Sequence, residues 1–193
     1  NEISGTAGSD IDIYPAWNIT TGSNLVVIAV IDTGIDLSHP DLSSNIWINA
    51  GETAGNNLDD DGNGFIDDVQ GFDFISMTGY PGDDHGHGTA CSGIIGAVGN
   101  NNLGISGVNW QSSILPLKCL DYRGCGTTAD AIEAIGYAEM MGAEIISISW
   151  GCSAYDPVLY DVMSGSPALF VCAAGNSGVD IDQYPVYPAG YDC

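Results

Sequence analysis

The sequence predicts an α/β fold: a mostly parallel, doubly wound sheet with helices on both faces. Two kinds of segment carry the prediction. Leu25 to Ile31 (LVVIAVI) and Ala168 to Ala173 are continuous apolar runs, and Ala143 to Ser149 (AEIISIS) has strand character. Such runs read as strands buried on both faces, as in a parallel sheet. Between them, Ala129 to Met141 places apolar residues at Ala129, Ile132, Ile135, Gly136 and Met140, close to helical spacing, with Gly142 as a stop. Strand, helix, strand at these lengths is the signature of parallel strands joined by right-handed crossovers.

The remaining elements follow in order. Thr89 to Ala97 is rich in small residues and reads as a helix. Ser113 to Leu117 (SILPL) is a weaker strand, whose proline points to a strand end or an edge. Pro157 to Ser164 reads as a short helix with proline in its first turn. Ile46 to Gly82 is polar, acidic and glycine-rich without sustained periodicity, and is expected to be an ordered insertion. In open α/β sheets, sites gather at the carboxyl ends of the strands.

Composition excludes several functions. The chain has 193 residues, enough for one ordinary domain, and 45% of them are hydrophobic, which supports a core rather than disorder. Twenty-five acids face two bases, Lys118 and Arg123, for a net charge of −23. Nucleic acid is therefore a poor partner, because phosphate binding needs clustered cations. An anionic membrane surface is a poor partner on the same ground. No segment has the ~18 to 20 apolar residues of a membrane span. Asn1 to Asp10 has neither the basic nor the apolar region of a signal peptide. Six cysteines (Cys91, Cys119, Cys125, Cys152, Cys172 and Cys193) allow disulfides in 15 pairings or small buried hydrophobes, and no C-x-x-C pair exists.

Three segments carry chemistry. The first strand runs into Asp32-Thr33-Gly34, and a carboxylate held at a buried strand end can orient a histidine. It can equally cap the next turn. Asp83 to Gly93 contains His85 and His87, and the glycines flanking His87 permit close approach. The i, i+4 histidine pair of a zinc helix is absent. Ala173-Ala174-Gly175-Asn176-Ser177 follows the last strand, where an Asn amide can donate to an oxyanion or simply make a turn.

A fourth segment, Asn57 to Asp68, contains D-x-D-x-N-G. Alternating hard oxygen ligands with glycine at the bend fit a calcium loop. Asp59, Asp61 and Asn63 are candidate side-chain ligands and Phe65 a carbonyl ligand, with Asp67 and Asp68 completing the cluster. Gln70 stands where an EF-hand has its twelfth-position Glu, so the loop is not a standard EF-hand.

Taken in order, Val30 to Asp36 with Ser38 to Leu42, Gly86-His87-Gly88-Thr89, and Ala174-Gly175-Asn176-Ser177 resemble the subtilisin-like serine proteases, from Ile13 through Tyr191. The resemblance implies an Asp-His-Ser endopeptidase that is secreted and acts on protein or peptide substrates. Asp32 would be the triad acid, His87 the base and Asn176 the oxyanion donor, with no role for His85. Ser149-Trp150-Gly151 and Ala173-Ala174-Gly175 would wall the primary pocket, and Gly124-Cys125-Gly126 would pair with extended substrate. Trp150 either narrows a subsite or packs in the core. Cys91, where a proteinase K-like subset also carries cysteine, implies a buried thiol beneath the base. Asp41 with Asn101 on the loop Gly99 to Ile105 implies a second calcium site.

The chain departs from the family in two respects. Ala90 replaces a second histidine after the base. The nucleophile motif G-T-S-M-A is absent, so residues 1–193 are expected to be the N-terminal portion of one catalytic domain, truncated at its C-terminal side and inactive alone. The alternatives are a non-catalytic homologue that binds peptides or calcium, and a calcium-dependent adhesion module.

Overall fold

The computed structural model describes residues 10–192. The N-terminal residues 1–9 and the candidate disulfide partner Cys193 lie outside them. After a short helix α1 (Ile13–Trp17) come β1 (Gly22–Asp32), β2 (Phe72–Asp73), α2 (His87–Gly96), β3 (Gln111–Lys118), α3 (Thr128–Met140), β4 (Ile145–Ile148), α4 (Pro157–Gly165) and β5 (Leu169–Cys172). The five strands form one parallel sheet in the order β2-β3-β1-β4-β5. β3 and β4 lie on opposite sides of β1, so strand order reverses at the end of β1. That is the point at which such sheets place their sites.

Alternation along the strands explains the two layers. Ala29 and Ile31 of β1, with Leu115 and Leu117 of β3, face the larger core shared with α3 and α4. Val30 and Ile114 face a smaller core with Ile35, Leu42, Ile46 and Ala97. Helix α2 begins as a face of small residues: Gly88, Ser92, Gly93 and Gly96 are buried. A side chain at Gly96 would collide with Ser112, so the helix lies close against β3. Helix α3 opens on a capping box between Thr127 and Asp130, which satisfies donors at both positions. Its buried stripe is Ala131, Ala134, Ile135, Tyr137 and Ala138. Ala129, Gly136 and Met140, expected on that face, are instead exposed.

Two strand readings are corrected. β3 is interior, not an edge, despite Pro116. Ile114 and Lys118 accept hydrogen bonds from Trp47 and Phe74 on the β2 side, and Pro116 shares their orientation. Its missing N–H therefore faces the side where β2 pairs only with Leu117 and Lys118. β5 is not buried on both faces. It is the edge of the described sheet, and Leu169 and Val171 are 62% and 53% exposed. The insertion 46–82 is ordered, with Phe65 and Phe74 meeting Tyr137 edge to face and Phe72 meeting Phe65 in the same way.

Candidate active site

Asp32 ends β1 with no exposed surface. Its Oδ1 accepts from the Thr33 N–H and lies 2.7 Å from His87 Nδ1. An ionised carboxylate only accepts, so Nδ1 carries the ring proton and Nε2 keeps its lone pair. Asp32 Oδ2 has no hydrogen-bond partner among the described residues. Other donors therefore take little of the carboxylate's charge, and more remains for the imidazole.

His87 is the first residue of α2, and hydrogen bonds through Asp83 and Thr33 fix that helix end against the end of β1. Asp83 accepts from Thr33 Oγ1 at 2.8 Å and from the N–H groups of His85 and Gly86. Its other oxygen takes the N–H and hydroxyl of Thr89. Thr33 Oγ1 in turn accepts the Gly88 N–H at 2.9 Å. Burial raises the Asp83 carboxyl, but the bonds from Thr89, Gly86 and His85 outweigh it and the net shift is downward. A Cβ at Gly88 would meet Gly34 O, so this glycine permits the close approach expected on either side of His87. Gly86 is glycine for a different reason: its φ is +99°.

Lys118 closes the floor. It pairs in register with Asp32, is 3% exposed, and spends all three donors on Thr33 O, Leu120 O and Asp84 Oδ1. Cys91 lies one turn along α2, with Sγ 3.9 Å from both His87 ring nitrogens. Burial raises its thiol. His85 is exposed, and its ring centroid lies 6.3 Å from that of His87.

The predicted substrate segments line two neighbouring cavities. One, of about 360 Å³, is lined by Ser149, Trp150, Gly151, Ala173, Gly175 and Asn176. Ala174 lies between the lining residues and is exposed. The other, of about 230 Å³, is lined by Gly124, Cys125, Gly126, Trp150, Gly151 and Cys152. Trp150 does both things weighed for it. Its indole N–H donates to Ile31 O at 2.8 Å and its ring packs on the core, yet it walls both cavities. A Cβ at Gly126 would meet Cys119 O, so the loop 124–126 lies tight on the end of β3.

The acidic loop is arranged differently from its sequence spacing. Asp59 accepts from the N–H groups of Gly62, Asn63 and Gly64, which holds its carboxyl below the usual range. Asp67 accepts from Asn56 and Asn57. Phe65 packs its ring in the aromatic cluster, and its N–H donates to Asn63 Oδ1. The carboxylates that converge are Glu52, Asp61 and Asp68, with ligand oxygens within 4.8 Å of one another. Asn49 and Asn63 amides and the Tyr137 hydroxyl donate to Asp61 and Asp68. Glu52 Oε2 is buried and has no hydrogen-bond partner among the described residues. No ammonium or guanidinium forms an ion pair with the three among the described residues, so the donor set fits a hard divalent cation. Asp41 accepts from Asn101 Nδ2 at 2.6 Å and from the Ile105 N–H at 3.0 Å, bringing the second pair of residues together.

Sequence reasoning missed Asp83, Lys118 and Glu52. Asp83 had a signal, an acid just ahead of a helix start. A single lysine in an apolar strand was the signal for Lys118. Glu52 had none, because only the folding of the insertion brings it to Asp61.

This geometry has relatives. The profile of the Subtilase family matches residues 23–192. Subtilisin-like protease 1 of Plasmodium berghei is 39% identical over 82% of the chain and 27% of its own length. The thermophilic serine proteinase of Bacillus sp. strain AK1 is 36% identical over 92% of the chain and 39% of its own length. Thermitase of Thermoactinomyces vulgaris is 35% identical over 89% of the chain and 54% of its own length. The chain thus spans between about a quarter and about half of these proteins, and it belongs to the subtilase family.

Proposed function

We propose that this chain supplies the acid, base and oxyanion donor of a serine endopeptidase whose nucleophilic serine lies beyond residue 193 in the same domain. The observation that carries the reading is the 2.7 Å contact of Asp32 Oδ1 with His87 Nδ1, at the strand-order reversal and beside two cavities. In this mechanism His87 Nε2 takes the proton of the attacking hydroxyl and returns it to the leaving amine. Asp32 holds the tautomer and stabilises the imidazolium. The Asn176 amide donates to the oxyanion as it forms. The substrate backbone lies between Gly124–Gly126 and Ser149–Gly151 as an added strand, with a side chain entering the cavity walled by Ala173 to Gly175.

Calcium is the proposed ion. Glu52, Asp61, Asp68 and Asn63 would hold one, within the acidic segment that includes Asp59, Phe65 and Asp67, and Asp41 with Asn101 would hold another. The ion supplies charge compensation to carboxylates that otherwise repel one another. An extracellular setting fits both the ion and the net charge of −23. The exposed edge of β5 is where the rest of the domain would pair.

The reading is tested on the full-length protein with a serine-directed fluorophosphonate and a peptide anilide. Covalent labelling of a serine beyond residue 193, lost in Asp32→Asn and His87→Ala, supports it. No labelling and no turnover would overturn it in favour of the alternative, a non-catalytic homologue that binds peptides or calcium.

A further inference from the structure

We propose that Cys125 and Cys152 form a thiol-exchange site, at which a low-molecular-weight disulfide caps the substrate groove covalently. The proposal rests on the groove assigned above and names a way of regulating it. The cysteines sort by environment. Cys119 is buried, and burial pushes its thiol well above the ordinary range. Cys91 is half-buried beneath His87 and is raised for the same reason. Both are poor sources of thiolate, the species that attacks disulfides.

Cys125 and Cys152 are exposed thiols on two of the chain segments that line the 230 Å³ cavity. Each sulfur makes a long polar contact to a carbonyl of its own loop: Arg123 O at 3.9 Å and Ala154 O at 3.6 Å. Among the described residues, neither is tied into a hydrogen-bond network. Cys125 has little freedom to withdraw, because Gly126 is pressed against Cys119 O and Asp121 holds the Cys125 N–H. A group attached to either sulfur would occupy space assigned to the substrate backbone.

The exchange is balanced. The thiol gives its proton to solvent, the thiolate attacks one sulfur of R–S–S–R, and the S–S bond of the reagent breaks. A new Sγ–S bond forms, and RS⁻ leaves and takes up a proton. The cysteine is oxidised and half of the reagent is reduced. The net charge of −23 selects among reagents. Cationic disulfides are attracted and anionic ones repelled, and salt narrows the difference.

The test treats the full-length protein with cystamine or oxidised glutathione and maps adducts by mass spectrometry, alongside turnover of a peptide anilide. Adducts are expected on Cys125 and Cys152, with Cys119 modified only in urea. Cystamine should react about tenfold faster than oxidised glutathione at low salt. Turnover should fall in step with the adducts and return with dithiothreitol. The C125S/C152S double variant, whatever its own activity, should keep that activity in cystamine. Equal labelling of Cys119 in the native protein, or full modification of Cys125 and Cys152 with turnover unchanged, would overturn the proposal. Should the untreated protein show no turnover, the peptidase reading fails, and the adduct map alone decides whether the two thiols form an exchange site.

Discussion

The two sides of the site are built to different standards. At Asp32 and His87, Asp83, Thr33, Gly88 and Lys118 tie one strand end to one helix start with mostly buried bonds. At Asn176, the residue is exposed, Gly175 before it has φ +92°, and the neighbouring strand β5 presents Leu169 and Val171 to solvent. On the proposed reading, the acid and base are held in place by residues within 10–192, whereas the oxyanion donor would depend on what packs against that edge.

The largest test of this contrast is at the histidines. In the full-length protein, His87→Ala should lower kcat by several orders of magnitude, because triad members act as a unit. His85→Ala should cost far less, and equal losses would break the assignment. Next, Asn176→Ala should reduce kcat by roughly 10²- to 10³-fold with little change in KM, as removal of one oxyanion donor does. A change in KM alone would make Asn176 a wall of the pocket.

The acidic insertion offers a smaller effect. A cation at 100-fold excess over Kd stabilises the native state by about 2.7 kcal/mol, or roughly 5–10 °C in Tm for a domain of this size. Chelation should remove that increment. Glu52→Gln and Asp61→Ala should blunt the loss, whereas Asp59→Asn should blunt it less, since Asp59 serves the loop backbone. Unchanged melting under chelator would exclude a stabilising ion.

The smallest effect is the pH dependence of Asp83. Its carboxyl lies below the ordinary value in the fold, so its contribution is complete above the unfolded value of about 3.9. The contribution is lost as pH falls through the lower folded value. Asp83→Asn should flatten the acid limb of a stability titration, and an unaltered limb would refute the role.

Most of this arrangement was readable in one dimension, because the residues that carry it are local. Asp32 ends its own apolar run, and His87 sits between two glycines at the start of its own helix. What escaped needed the third dimension. Pro116 signalled an edge, since a missing donor says nothing about which side of a strand it faces. The run at β5 looked buried, since apolar residues do not reveal whether a neighbour is present to cover them. Glu52 joins Asp61 only through the fold of the insertion.

Asp32 and His87 stand 55 residues apart, and the acidic insertion is the chain between them. Forming the pair means closing that loop, and closure entropy grows only logarithmically with length, by about 0.6 kcal/mol per doubling. A long insertion is therefore a small burden once folded. Before folding, the same segment carries acids and no Lys or Arg, and such a charged chain repels itself and extends. An ion that gathers Glu52, Asp61 and Asp68 would convert it into a short, stiff tether. The ion's concentration would then set how quickly the acid and base find each other during folding, as well as how firmly they stay together.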